Sequence, residues 1–171
     1  ALALEGTMVA LDKPDTRFGM ELVDVAPWAA TSGFVVFESV LEAGGRVMGI
    51  NVAGGAELSR KQITALEDFA KEYGAKGLAW WKAGAEGGAG PMARFCEGAR
   101  ASQLMEAMGA AEGDLCLFVA AERDVTWRAL GELRVKLGRE RDLVQAGWNF
   151  LWVTHFPMFE AGEEPGTWTS S

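Results

Sequence analysis

The sequence predicts an α+β fold: a two-layer sandwich whose mostly antiparallel sheet carries its helices on one face. Three observations carry this. The elements read in the order two strands, helix, two strands, helix, strand, helix. The paired strands are joined through glycine turns at Gly44-Gly45 and Gly84 to Gly90, which suits antiparallel neighbours. Each helical stretch has a single apolar stripe, as a helix lying on a sheet requires.

In order along the chain, Pro14 and Pro27 punctuate the first residues, and the apolar run Phe34 to Phe37 reads as a short strand. Gly44-Gly45 turns the chain into a second strand, Arg46 to Val52, and the two are expected to form a hairpin with a loop longer than the tightest type. Ser59 then opens a helix. Its hydroxyl can accept the amide of Gln62 while Gln62 reaches back, which is the spacing of a capping box. Ile63, Leu66, Ala70 and Tyr73 make the buried stripe, and Gly74 is placed to end the helix in the left-handed conformation. Gly77 to Ala83 reads as a strand and Pro91 to Cys96 as its return. Ala99 to Met108 is the second helix, with Leu104, Met105 and Met108 facing inward. Leu115 to Ala121 is a buried strand, and Glu122 to Arg139 is the third helix, with Leu130, Leu133 and Leu137 on one face.

Trp148 to Glu160, WNFLWVTHFPMFE, reads as one buried strand that stops at Pro157. Alternation puts Phe150, Trp152 and Phe156 on one face and Leu151, Val153 and His155 on the other. An acidic turn, Glu160 to Gly166, leads to a new strand starting in GTWTSS.

Composition bounds the function. The 171 residues are 49% hydrophobic and 23% charged, ordinary for a folded globular protein. No apolar run approaches a membrane span, and no signal-like block opens the chain. The net charge of −8 opposes broad phosphate binding by the whole surface but leaves room for a local basic face. Cys96 and Cys116, each expected in a strand, suit a reduced cytoplasmic protein, with a disulfide between them left open.

Candidate chemistry is sparse. His155 is the sole histidine and has no evident nucleophile or carboxylate beside it, so a structural role on a core strand is favoured over catalysis. With one histidine and two distant cysteines there is no metal-ligand spacing. Gly54-Gly55 and the run Glu86 to Pro91 lack the Gly-Lys-Ser/Thr of a phosphate loop and read as turns. No catalytic, cofactor or metal residue is therefore assigned. The third helix region carries Arg123, Arg128, Arg134, Lys136, Arg139 and Arg141, spread along both flanks of the apolar stripe. They read as a solvated face or as an RNA-facing patch. Trp80 and Trp81 point to opposite faces of their strand. Trp81 is the candidate docking residue, unless other parts of the chain cover that face.

Several separated motifs resemble one family in its own order. Asp12 to Leu22 (DKPDTRFGMEL), Ser59 to Lys82 (SRKQITALEDFAKEYGAKGLAWWK), Ala129 to Gly138 (ALGELRVKLG) and the WNFLWVTHFPMFE strand are similar to bacterial aspartyl-tRNA synthetases. The resemblance spans residues 12–171. The central part resembles the insert called the GAD domain, also found in the B subunit of the tRNA-dependent amidotransferase. The chain departs from the family where Ala1 to Leu11 replace its usual Tyr-Gly-Ser run, at Thr16 in place of leucine, and at His155 in place of aspartate.

The resemblance implies residues 1–28 as a core-derived lead-in, 29–145 as the insert and 146–171 as a core-derived strand and acidic turn. It implies a class II enzyme that activates aspartate with ATP and magnesium, charges tRNA, and works as a cytoplasmic homodimer with no membrane or further metal partner. The class motifs, including the His-His-Pro-Phe-Thr run expected after Ser171, are not in this sequence, so a fragment inactive by itself is expected. The alternatives are a free-standing adaptor that binds RNA or a synthetase, and, more weakly, a small-molecule enzyme using the His155 region.

Overall fold

A computed structural model describes residues 15–84, 87–150, 159–161 and 167–170. Its centre is an antiparallel sheet of four strands in the order β1-β2-β4-β3, formed by β1 (Val23–Asp24), β2 (Arg46–Val52), β3 (Ala79–Lys82) and β4 (Leu115–Ala121). The long pair β2 and β4 is in full register from Arg46 opposite Ala121 to Val52 opposite Leu115. Both are buried apolar runs, as strands covered on two faces must be. Gly49 sits opposite Phe118, and a methyl group there would lie 2.7 Å from the Phe118 ring, so the strand is bare where the ring crosses it.

Strand alternation builds two cores. Met48, Ile50 and Val52 with Leu115, Leu117 and Val119 face one way. Over them lie α3 (Arg60–Glu72), through Ile63, Leu66 and Ala70, and α5 (Arg123–Glu140), through Leu130, Leu133 and Leu137. Val47, Trp81, Cys116 and Phe118 face the other way. Over these lie α1 (Ala26–Ala29), α2 (Val35–Glu42) and α4 (Ala99–Met108), through Trp28, Phe37, Leu104 and Met108. The expected α+β class and antiparallel sheet are what the chain adopts. The helices, expected on one face, cover both.

Two segments depart from the expected strands, and the first of them supplies part of the extra layer. Phe34 to Phe37 is not a strand. Phe34 is the extended N-cap of α2, and Phe37 is its buried contact. A run of four apolar residues fits either period, and here Leu41 extends the helical one. The expected hairpin is accordingly absent, and β2 pairs instead with β1 and β4. Pro91 to Cys96 is not a return strand either. The return begins as a bridge between Lys82 and Ala89, then yields to a 3-10 turn at Ala93–Phe95. Pro91 has no amide to continue a ladder. Cys96 thus lies in a capping loop, buried, rather than in a strand.

Ser59, Gly74, the second helix and β4 take the roles expected of them. Ser59 caps α3 with both bonds of the capping box present, and Gly74 follows its end at φ 91°. Near the C-terminus β5 (Phe159–Ala161) pairs antiparallel with β6 (Trp168–Ser170), the strand expected in GTWTSS. Phe150, expected on a buried face, is 93% exposed and outside any strand. Residues 151–158, including His155, lie outside the described residues.

Candidate nucleic-acid interface

The basic helix α5 is held by its stripe. Ala129, Leu130, Leu133 and Leu137 are buried against the sheet, and the outer surface is shared with α3 alongside. The six cations of α5 and its C-cap, Arg141 included, do not share one environment. Arg123, Arg128 and Arg139 are exposed. Arg123 stacks on the Trp127 ring with its guanidinium carbon 4.0 Å from the centroid, and Arg128 lies 5.8 Å above Tyr73 of α3. Stacking orients a guanidinium while leaving its N–H groups free for an anion. Lys136 is half-buried, 5.0 Å above Phe69, and ion-paired to Glu140 at 2.6 Å. Arg141 donates to the carbonyl of Ala53 at 3.1 Å and to Glu57 at 3.4 Å, so it braces the β2 exit loop.

Arg134 must be removed from any surface patch. It is 1% exposed and donates to the carbonyls of Phe18 at 2.9 Å and Met20 at 3.0 Å. Its position on the flank of the stripe is as expected, but the incoming chain folds over that flank. Burial pulls its pKa down, partly offset by Asp15 and Glu21. Trp81 is corrected for a similar reason. The second helical layer covers its face; it is fully buried, and its indole N–H donates to the Gly87 carbonyl at 2.8 Å. Trp80 occupies the opposite face, partly buried against the first core.

Arg128 and Arg139 lie on the same side of α5, three turns apart, about 16 Å along the axis. Acidic neighbours interrupt them: Glu132 and Glu140 on α5, and Glu67 and Asp68 of α3, which both pair with Lys71. The exposed cations of α5 are therefore separated from one another and do not enclose one group.

No catalytic set forms among the described residues. Cys96 and Cys116 are free and buried, and burial pushes both thiols up to about 12. The described residues contain no group of three or more His, Cys, Asp or Glu side chains that could hold a metal ion. Asp114, the carboxylate the sequence reading passed over, spends both oxygens on the chain. Oδ1 accepts the Gly54 amide at 2.8 Å, and Oδ2 accepts the Ala111 amide at 2.9 Å and the Asn51 carboxamide at 3.0 Å. Among the described residues, no set of three or more such side chains is therefore placed to hold magnesium. The glycine runs serve turns: a methyl group on Gly88 would collide with the Lys82 carbonyl oxygen and the Trp81 indole nitrogen. A shallow cleft of about 300 Å³ between α1 and α4 is lined by Trp28, Thr31 and Gln103. Its one charged lining residue, Asp24, already accepts the Ala26 amide and faces Arg46 at 3.5 Å. No helix among the described residues is long and apolar enough to cross a membrane.

Comparison with known proteins adds the context. Residues 37–130 match the GAD domain family. The chain is 50% identical over 155 residues to an aspartate–tRNA ligase of Shouchella clausii, covering 90% of this chain and 26% of the relative. It is 48% identical over 157 residues to an aspartate–tRNA(Asp/Asn) ligase of Anoxybacillus flavithermus, covering 91% and 26%. An aspartate–tRNA ligase of Exiguobacterium sibiricum is 51% identical over 149 residues, covering 86% and 25%. The chain thus spans about 26% of the length of the first of these relatives.

Proposed function

The chain belongs to the GAD domain family, and from that premise we propose that it is the inserted module of an aspartate–tRNA ligase. The observation that carries this is identity near one half along 90% of the chain, well beyond residues 37–130 on both sides. That breadth disfavours a free-standing adaptor, for which similarity outside the family's own residues has no reason to persist. The longer enzyme joins aspartate to tRNA at the expense of ATP with magnesium, and works as a cytoplasmic homodimer.

Within it this module supplies binding rather than chemistry. Activation of a carboxylate by a triphosphate depends on cations preorganised around the developing charge. Here the exposed cations Arg123, Arg128 and Arg139 are strung along α5 and converge on no point. A row of this kind suits the phosphate backbone of the tRNA acceptor arm. We place the module's start at Leu22 rather than at the expected boundary of residue 28, because Leu22, Val25 and Trp28 are already buried in its two cores.

The test is ATP–pyrophosphate exchange with aspartate. The longer polypeptide carrying this chain should exchange and should charge tRNA, while the 171-residue chain alone should do neither. Exchange by the chain alone, or a longer polypeptide inert toward aspartate, overturns the reading.

A further inference from the structure

The chain enters the folded body through Asp15 to Leu22 and leaves it through Arg141 to Phe150, and the two segments run side by side. The Gln145 amide donates to the Arg17 carbonyl at 3.1 Å, and the Asn149 carboxamide donates to the Thr16 carbonyl at 3.1 Å. The outgoing segment is tied to the incoming one through those two bonds, and the incoming one is clamped to the body by Arg134. Its Nη2 and Nε donate to the carbonyls of Phe18 and Met20, and its guanidinium carbon lies 4.2 Å from the Phe18 ring centroid. Phe18 is itself 7% exposed and packs so closely on Gly138 that a methyl group there would lie 2.6 Å from the ring. Both segments also hold a non-glycine residue in the left-handed region: Met20 at φ 62° and Asp142 at φ 55°. Strain of this kind persists only where surrounding contacts over-determine the backbone. Among the described residues no carboxylate forms an ion pair with Arg134, and a cation buried in that way is a costly means of filling a helix flank. Its five donors in a rigid fork do match the two carbonyls on either side of Gly19.

We propose that Arg134 is a positioning residue: it locks the incoming and outgoing segments into a rigid neck, and so fixes the angle at which α5 is presented to tRNA by the rest of the enzyme. The proposal rests on the ligase reading given above. Lysine in its place keeps the charge but loses the fork and the stacking on Phe18. The neck then loosens while the body, whose sheet core Arg134 does not enter, stays folded.

Two measurements decide it. In the 171-residue chain, amide exchange of Gln145 should accelerate in Arg134→Lys and in Phe18→Leu, while β2 and β4 amides keep their protection. Unchanged Gln145 exchange overturns the proposal, and so does loss of β2–β4 protection in both variants, which would make the pair ordinary core. In the longer polypeptide, Arg134→Lys should lower kcat/KM for tRNA charging by roughly ten- to a hundredfold, the scale of a misplaced substrate, with ATP–pyrophosphate exchange unaltered. Equal loss of both activities, or of neither, overturns it. A wild-type polypeptide that exchanges nothing defeats the ligase reading instead, and the amide measurement still decides the neck.

Discussion

A carboxylate with 8% of its surface exposed should resist ionisation, yet Asp114 stands where three N–H donors converge. Desolvation pushes its pKa up. The Ala111 amide, the Asn51 carboxamide and the Gly54 amide together outweigh that and hold the carboxyl below its usual value of 3.8. Its backbone adds another tie, the Asp114 carbonyl accepting the Ala83 amide at 2.9 Å. The residue thereby joins the end of β2, the exit of β3 and the start of β4. A folded-state pKa below the unfolded one means the stabilisation is complete above the unfolded value and is lost as pH falls through the folded value. Asp114→Asn should therefore cost about 1–3 kcal/mol at neutral pH, because an amide cannot accept all three donors. The gap between variant and wild type should narrow in acid, below pH 3.8. Denaturant midpoints at the two pH values check this. Asp15, drawn down to about 2 by the Arg17 guanidinium, is present in both proteins and cancels from the difference. A gap that stays constant with pH would assign the Asp114 contacts to shape and not to charge.

At the scale of elements, the clearest case is α3. Its Ser59 hydroxyl accepts the Gln62 amide at 3.3 Å while the Gln62 side-chain oxygen accepts the Ser59 amide at 2.9 Å. Ser59→Ala should cost about 1 kcal/mol in thermal or denaturant unfolding, the usual worth of an N-cap. Restoration by Ser59→Asp would confirm capping as the cause; no loss in Ser59→Ala would dismiss it. That helix was legible because start signal, periodic stripe and terminal glycine all agreed. β2, β4, α4 and α5 were legible for the same kind of reason. Phe34 to Phe37 carried no such agreement, since four apolar residues satisfy both periods; Leu41 favours the helical one, and the packing of Phe37 on Phe118, with ring centroids 6.1 Å apart, settles it. The missing helix then hid a layer, and the missing layer left Trp81 looking available. The arginines show the other limit. Spacing placed them correctly around α5, but whether a flank is open depends on what folds over it. For Arg134 that is Phe18, brought from 116 residues away. No local pattern contains such a contact.

For the whole molecule the question is how a chain with a net charge of −8 approaches a polyanion at all. Long-range repulsion opposes encounter, and it is screened by salt over about 10 Å at 0.1 M. Short-range attraction from α5 is screened too, and each phosphate contact releases counterions. The second effect dominates once contact is made, so any binding of tRNA by this chain should weaken as salt rises. The cations that count are those left free: Arg123, Arg128 and Arg139, since Arg134 is buried, Arg141 is bonded to Ala53 and Glu57, and Lys136 pairs with Glu140. With three contacts, the logarithmic salt slope should be no steeper than about −3, and Arg128→Gln with Arg139→Gln should each reduce it by about one. Arg134→Gln, by contrast, should leave the slope alone and loosen the neck. Titration of tRNA at several salt concentrations separates these outcomes. A slope unaffected by Arg128 and Arg139 moves the contact off α5, and binding insensitive to salt would require stacking or a shaped pocket in place of this row of cations.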